Sequence, residues 1–574
     1  MKILLVNVSK IFFDTLKTAQ TVEVSTFIEG GNKMNEVKEK NSIISLAIES
    51  ELNLISFSTI NELYKKLSKY EKEKFNDIEV KYAGDLARIL YYFRNDKENP
   101  DYQGIHATLE LQAISLRLSR HHIKRARVIE NVAHFFVEIL ILISKSNDIV
   151  LKFLKAEYID RPSMMVINRM INLLEENENI NFHFVMEKDV LSSPDNSQLD
   201  LARKQLFSKL NIEIEVLETT SSKYLLDQQC YNYETLNASI IEQNFELAIL
   251  ILHKLLEDPK RFISKQLVYR YLAVIEANLG NYDNALEFLD TAIENSKEIL
   301  EYSCNNYIKS LCLIKRKQNT EQAIIILENT LQKLNENWEE NNFKYMHEKA
   351  WLINGMCLAR TILASKLSKE ERDKELISII QLEMEAYRLI NGVQNFRVTY
   401  LKFNLLANIA FVLEIMEQYE EAINFWKRAF APLLREGEYY DGEKDLSYRL
   451  GILNIRLKDY EKAKDFLERS YYLASVENNP FHKINILYSL GYLEYQRKEY
   501  VLAQEYFVKG MELCLFMKDK FNLRIFNHAI QVLKEKLVEE ELIFPMIKLT
   551  SYVPYLDLSF VPEIDLNKAL VRKK

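Results

Sequence analysis

The stretch "LKDYEKAKDFLERSY" (Leu457–Tyr471) recurs in altered form along the second half of the chain. It lines up with "LGNYDNALEFLDTAI" from Leu279, "MEQYEEAINFWKRAF" from Met416 and "RKEYVLAQEYFVKGM" from Arg497. Each copy has a tyrosine, an alanine three residues later, and a large residue four positions after the alanine. A small residue, alanine or glycine, lies twelve positions before that alanine. This pattern predicts pairs of closely packed helices.

Two weaker copies, around Ala248 and Ala323, extend the series, and the readable spacings between key alanines are 37, 38, 41 and 40 residues. A degenerate helix pair is predicted at roughly 342–363 and 372–390. The small residue and the alanine allow two helices to approach, and we expect the large residue to fill the gap to the neighbouring hairpin. The pattern resembles the tetratricopeptide repeat, with longer helices. It predicts a mostly α-helical protein with a solenoid of six to seven hairpins over residues 225–540.

The resemblance implies a concave groove lined by the first helix of each hairpin. The residues at these positions are aromatic, arginine or amide side chains, which suit a protein or peptide partner because rings supply contact area and amides bond to a ligand's backbone. The predicted groove residues are Arg270, Asn278, Asn404, Phe411, Tyr448, Arg456, Asn485, Tyr488, Tyr492, Tyr495 and Gln496. The alternative is that the tyrosines pack between helices, since the chain contains 32 of them.

Composition supports a helical, multi-domain protein. The 574 residues include only 12 glycines and 9 prolines, whereas an α/β enzyme of this length needs glycines in its turns and phosphate loops. The net charge of −8 gives no reason to expect nucleic acid. Five scattered cysteines without a CxxC pair favour reduced thiols over a disulfide or metal framework. With no signal peptide and no membrane-length apolar run, we expect a cytoplasmic protein without a cofactor or a membrane partner.

A strand–helix–strand unit is predicted in the first half. "DIVLKFLKAEYID" (Asp148–Asp160) reads as an extended run, a helix follows from Pro162, and "NINFHFVME" (Asn179–Glu187) reads as a second strand. The unit resembles the Walker B and sensor strands of bacterial signal-transduction ATPases of the STAND type, which carry helical-repeat arms. Asp160 and Ser163 match the Asp and Ser that open the helix in that family. Its acidic pair should fall near Leu154 and Lys155, where neither residue is acidic.

The chain contains no GxxxxGK[ST] motif, whose backbone amides and lysine would bind phosphate. Its one glycine pair, Gly30-Gly31, reads as a turn. We therefore predict a degenerate, non-catalytic ATPase-like domain, α/β or mainly helical, over residues 36–217. Residues 1–35 read as strand, helix and strand with no assigned role. Residues 541–574, which contain three prolines, are predicted to form an extended tail.

The densest basic run is "RLSRHHIKRAR" (Arg117–Arg127). On a helix, Arg117, Arg120 and Lys124 would share one face. This face is a candidate patch for an anionic partner, and the alternatives are a solvated helix surface or a phosphate contact.

Together these features predict a non-catalytic adaptor or regulator whose groove binds a protein or peptide. Two alternatives stay open: a peptide-gated bacterial signalling regulator, and an accessory subunit of a biosynthetic enzyme complex. A homo-oligomer is a further option, and nucleic acid is not expected.

Overall fold

The computed structural model describes residues 42–50, 54–70, 72–89, 122–187, 190, 197–208, 214–217, 226, 228–314, 319–393, 396–435, 439–535, 542–545, 552–553 and 556–557. The predictions for residues 1–35, including the glycine pair, lie outside these ranges. The chain divides into two compact units, Met1–Ser42 and Ile43–Lys574, and the description below concerns the second, together with Ser42 at the start of its first strand.

The N-terminal module, residues 42–217, is a four-stranded sheet packed with helices. Its strands lie side by side in sequence order, and the second and third are parallel, with Ile149 opposite Ile180. The third and fourth strands are also parallel. The elements are β1 (Ser42–Glu49), α1 (Ser58–Leu67), α2 (Lys72–Ile89), α3 (His122–Ser144), β2 (Asn147–Leu154), α4 (Arg161–Leu173), β3 (Ile180–Met186), α5 (Gln198–Phe207) and β4 (Ile214–Val216).

The predicted strand–helix–strand unit is confirmed as β2, α4 and β3. Alternate residues of β2, Ile149, Leu151 and Phe153, are buried, as expected for a strand covered on one face. Helix α4 begins after Asp160, whose carboxylate accepts a hydrogen bond from the backbone N–H of Ser163, with proline in its first turn.

The remaining helices form an array of consecutive antiparallel pairs. Between residues 233 and 535, the described residues form seven hairpins in succession, and a single helix packs on the last of them. The structure thus has the mostly helical, tetratricopeptide-like solenoid that the repeats predict. Its helices are α6 (Tyr233–Ile241), α7 (Phe245–Glu257), α8 (Lys265–Leu279), α9 (Tyr282–Glu294), α10 (Ile299–Cys312), α11 (Thr320–Glu336), α12 (Phe343–Ala364), α13 (Lys369–Asn391), α14 (Phe396–Ile415), α15 (Tyr419–Arg435), α16 (Tyr439–Arg456), α17 (Tyr460–Val476), α18 (Pro480–Gln496), α19 (Tyr500–Phe516) and α20 (Lys520–Glu535). A short antiparallel pair, β5 (Tyr552–Val553) and β6 (Leu556–Asp557), lies further along the chain.

In the two repeats whose small residue is glycine, that glycine makes room for the large residue of its own hairpin. A Cβ added to Gly451 would lie 2.7 Å from the side chain of Leu467, and one added to Gly491 would meet the ring of Phe507 still more closely. The large residue therefore packs against the other helix of its own hairpin, whereas the sequence predicted that it fills the gap to the neighbouring hairpin. Phe507 does both, since its ring centroid is also 6.3 Å from that of Phe526 on α20.

The turn inside the hairpin uses a left-handed backbone five residues before the key alanine. Gly280 has φ 87°, and the equivalent Glu417, Lys458 and Lys498 have φ 61°, 60° and 67°. Only the first copy uses glycine, the residue that adopts this conformation without steric cost.

The array curves so that both of its ends meet the N-terminal module. At the first hairpin, the Asn244 side chain donates to the Leu54 carbonyl at 2.7 Å. At the turn after α17, the Asn131 side chain donates to the Asn478 carbonyl at 3.1 Å. The module therefore bridges hairpins that are far apart in the chain. No helix within the described ranges is both long and apolar enough to cross a membrane.

Candidate functional site

The predicted groove residues all lie on the first helices of hairpins. They are distributed over four helices: Arg270 and Asn278 on α8, Asn404 and Phe411 on α14, Tyr448 and Arg456 on α16, and Asn485, Tyr488, Tyr492, Tyr495 and Gln496 on α18.

In the earlier hairpins these side chains bond mainly to other parts of the array. The Arg270 guanidinium donates to the Asn305 side chain at 2.6 Å, which ties α8 to α10. Asn278 donates to the Val274 carbonyl of its own helix. Asn404 is buried. The Phe411 ring stands edge-on to Trp426, with centroids 4.9 Å apart.

Three groove candidates in the later hairpins are buried: Tyr448, Asn485 and Tyr488. Tyr448 is 6% exposed, and its hydroxyl lies 3.2 Å from that of Ser489. Asn485 is 7% exposed and donates to the Phe481 carbonyl. In contrast, Arg456 and Gln496 are exposed and Tyr492 and Tyr495 are half-buried, so the accessible part of this surface is the C-terminal half of α18 and the end of α16.

A segment of the chain itself, Leu542–Pro545, lies on that accessible surface and is called the tail segment below. The Tyr488 hydroxyl donates to the Ile543 carbonyl at 2.7 Å. The Phe544 ring stands edge-on to Tyr492 with centroids 5.4 Å apart, and the Arg456 guanidinium carbon lies 3.4 Å from its centroid. Three predicted groove residues therefore hold an irregular, non-helical piece of polypeptide.

The rest of the tail segment alternates between buried and exposed side chains. Leu542 is 6% exposed and joins an apolar cluster that includes Phe481, Tyr488 and Ile530. Ile543, whose carbonyl is bonded, has a side chain that is 47% exposed. Burial, with a smaller contribution from Tyr492, raises the pKa of the Tyr488 phenol well above its usual range. Tyr488 therefore stays protonated and can donate at any physiological pH.

A buried ion pair joins the N-terminal module to the end of α19. The Arg169 guanidinium donates to both carboxylate oxygens of Glu130, at 2.6 to 3.0 Å, and to the Met517 carbonyl at 2.9 Å. Both ion-pair side chains are 0% exposed. Burial alone would raise the pKa of Glu130, but the charge of Arg169 and the hydrogen bonds from His134 and Arg169 lower it to about 2. We call this group, Glu130, Arg169 and the Met517 carbonyl, the clamp.

Sequence reasoning missed the clamp because its three members are far apart in the chain. Arg169 is 39 residues from Glu130 and 348 residues from Met517. A weak signal was available, since a Glu and an Arg in otherwise apolar stretches of predicted helix need a partner when buried.

A second buried pair holds the first hairpin. Arg161 donates to the Glu246 carboxylate at 2.8 Å and to the Ala202 carbonyl at 2.9 Å. Near the clamp, the guanidinium nitrogens of Arg127 lie 3.6 Å from a carboxylate oxygen of Asp85 and 3.6 Å from one of Glu477. Buried arginines thus join the module to both ends of the array.

The residues that resemble the ATPase motif serve the fold. Asp160 is fully buried, and one carboxylate oxygen accepts from the backbone N–H groups of Phe57 at 2.7 Å and Ser163 at 2.9 Å. Burial raises its pKa to about 6 in spite of these hydrogen bonds. Lys155, at the position expected for an acid, pairs with Glu49 at 2.6 Å.

Glu383 is another buried carboxyl group, in addition to Asp160, without a cation among its described hydrogen-bonding partners. Glu383 of α13 accepts from the Asn408 side chain at 2.9 Å, and burial raises its pKa to about 8 in spite of hydrogen bonds from Asn408 and Asn354. It is therefore mostly neutral near pH 7.

The predicted basic patch lies largely outside the described residues, whereas metal sites and cysteines can be assessed within them. Arg117 and Arg120 lie outside the described residues, as does the side chain of Lys124, so the basic patch stays a prediction. Within the described ranges, no cluster of three metal-ligating side chains occurs. Burial raises the pKa of the Cys357 and Cys514 thiols, which disfavours the reactive thiolate.

No protein-family model matches this chain, and no curated protein matches it. Among solved structures, it is similar to a Rap protein complexed with competence and sporulation factor, at 13% identity over 61% of this chain and 90% of that chain, with a TM-score of 0.32. It is also similar to aspartyl phosphate phosphatase F from Bacillus subtilis, at 12% identity over 75% of this chain and 94% of that chain, with a TM-score of 0.33. Similarities this low say nothing about the ligand or activity of this chain.

Proposed function

We propose that this chain is a non-catalytic adaptor or regulator that binds a protein or peptide segment in the groove lined by the first helices of its hairpins. The observation that carries the proposal is the seating of the tail segment on Arg456, Tyr488 and Tyr492. These side chains already hold an irregular stretch of polypeptide through a ring, a guanidinium and a hydroxyl.

The chemistry of this surface favours a peptide over a small metabolite. Tyrosine and arginine are enriched at the energetic centres of protein interfaces, because they combine large apolar area with a polar group. A hydroxyl that donates to a backbone carbonyl recognises any residue at that position, whereas the Arg456 and Tyr492 faces select a ring.

We also propose that the N-terminal module, which resembles the STAND ATPases only weakly, has a structural and not a catalytic role. Its support is that Asp160 is engaged as a buried helix cap, and that Leu154 and Lys155 stand where the acids for magnesium would be. Calorimetric titration with ATP and magnesium, beside a hydrolysis assay, tests this: binding or turnover would contradict it.

A peptide-gated regulator is the second candidate, and one observation favours it. The hairpin α18–α19 carries Tyr488 and Tyr492, and it is flanked by Asn478 and Met517, which contact the N-terminal module. A ligand that shifts this hairpin would also strain those contacts. The test is small-angle scattering with and without a bound peptide, and an unchanged radius of gyration would argue for the adaptor.

The binding proposal is tested by selecting peptides from a displayed library on the full-length chain. We expect selected peptides to lose about tenfold or more in affinity on Tyr492→Ala or Arg456→Ala. Tyr472→Ala is the matched control, because Tyr472 is 58% exposed on α17, the second helix of its hairpin. A selection without binders, or binders equally sensitive to Tyr472→Ala, would contradict the proposal.

A further inference from the structure

Among the described residues, the contacts that hold the tail segment in place are made by side chains and include no backbone ladder. Within the described part of the chain, the one hydrogen bond recorded for its backbone is the one that Tyr488 donates to the Ile543 carbonyl. The other contacts are the seating of Leu542 in an apolar cluster and of Phe544 between Arg456 and Tyr492. A segment without strand pairing can leave without breaking a sheet.

Each of these contacts recognises a chemical group that a free peptide could also supply. The Leu542 position takes an aliphatic side chain, the next residue contributes only its carbonyl, and the Phe544 position takes an aromatic ring. Pro545 follows and is buried. The side chain of Ile543 points to solvent with 47% of its surface exposed, so that position places little demand on residue type.

The tail segment is tethered close to this surface. Helix α20 ends at Glu535, and residues 536–541 are the six that lead to Leu542. A short tether of this kind gives an effective concentration in the millimolar range, so even weak contacts keep the site filled. The apparent affinity of a competing peptide is then its intrinsic affinity multiplied by the small fraction of time that the site is empty.

We propose that the tail segment is the resident occupant of the surface formed by Arg456, Tyr488 and Tyr492. The partner that displaces it is an extended peptide with the pattern aliphatic, any residue, aromatic, proline. This inference rests on the proposed function and specifies both its ligand class and its control: binding is a competition between an external peptide and the chain's own segment.

The test uses full-length variants and a fluorescent peptide with the sequence of residues 538–549, VEEELIFPMIKL. Phe544→Ala removes the ring that Arg456 and Tyr492 hold, and we expect this variant to bind the peptide about tenfold or more tightly than the wild type. Ile543→Ala is the matched control, because it keeps the bonded carbonyl and removes a solvent-facing side chain, and it should bind like the wild type. The same peptide with alanine in place of its phenylalanine should bind neither the wild type nor Phe544→Ala.

Added to Phe544→Ala, the change Tyr492→Ala should abolish the gain in affinity. Circular dichroism of each variant establishes that it is folded. Equal peptide affinity for wild type and Phe544→Ala overturns the inference, as does a gain that survives Tyr492→Ala. If library-selected peptides bind this surface but the peptide of residues 538–549 does not bind Phe544→Ala, the resident-occupant inference fails and the binding function stands. If neither kind of peptide binds wild type or Phe544→Ala, the binding function itself fails.

Discussion

Replacing Arg169 by methionine tests whether the clamp holds the N-terminal module to the last hairpins. The wild-type guanidinium donates at 2.6 to 3.0 Å to Glu130 and at 2.9 Å to the Met517 carbonyl, and both ion-pair side chains are 0% exposed. Methionine fills much of the volume but removes the guanidinium charge from beside the buried Glu130 carboxylate, which keeps His134 at 2.9 Å. The Met517 carbonyl also loses this donor.

Removing one member of a buried ion pair costs about 3–5 kcal/mol, because the other charge stays desolvated. Replacing both members by methionine removes that charge as well, so we expect Glu130→Met/Arg169→Met to lie within about 2 kcal/mol of the wild type. The pKa of Glu130 in the folded state, about 2, is below its ordinary value of 4.5. The stabilisation is therefore complete above about pH 4.5 and is lost as the pH falls toward 2.

The assay is guanidinium unfolding followed by circular dichroism, together with hydrogen exchange of the amides just after α19. Lys374→Met is the matched control, because Lys374 pairs with Glu370 at 3.2 Å with both side chains at least 75% exposed, and such pairs contribute about 0–1 kcal/mol. We expect Arg169→Met to unfold at lower denaturant and to exchange faster at this turn. The reasoning is refuted if Arg169→Met behaves like the control, or if the double variant is as unstable as the single one.

Three further perturbations probe the array. The pKa of Glu383 in the folded state, about 8, lies above its ordinary value of 4.5, so the stability of the wild type should fall as the pH rises from about 5 to about 8. In Glu383→Gln the melting temperature should lose most of this dependence on pH. An unchanged dependence would contradict the raised pKa of Glu383. Gly491→Ala drives a methyl group into Phe507 and should cost about 1–3 kcal/mol in urea unfolding, whereas Gly392→Ala, with nothing within 4 Å of the added atom, should be near neutral; equal effects would refute the close approach. Lys498→Gly relieves a left-handed backbone at φ 67° and should raise the unfolding free energy by about 0.5–1 kcal/mol in the same assay, and a loss would argue against that turn geometry.

The hairpins could be predicted because the information that forms them is local. Small, tyrosine, alanine and large residues at fixed spacing determine which faces of two consecutive helices meet. A degenerate pair that lacks the full pattern was predicted at roughly 342–363 and 372–390, in the gap between the copies around Ala323 and Ala422, and the structure has helices at Phe343–Ala364 and Lys369–Asn391. The strand–helix–strand unit was predictable for the same reason, from a buried strand followed by a proline in the first turn of a capped helix.

The candidate site could be located only in part. The repeat register assigns residues to the first helix of each hairpin, and Arg456, Tyr488 and Tyr492 do converge on one segment. The register does not tell which of these side chains a neighbouring helix covers. Tyr448 and Asn485 are predicted groove residues that are buried in this way.

Local residue patterns were enough to predict the helical hairpins and their order along the chain. The contacts between the array and the N-terminal module, and the seating of the tail segment on Arg456, Tyr488 and Tyr492, depend instead on tertiary packing that no local pattern contains. The curvature of a solenoid is the sum of small rotations between neighbouring repeats, and each rotation depends on packing across an interface. Arg169 and the Met517 carbonyl, 348 residues apart, therefore meet only when all of those interfaces have formed.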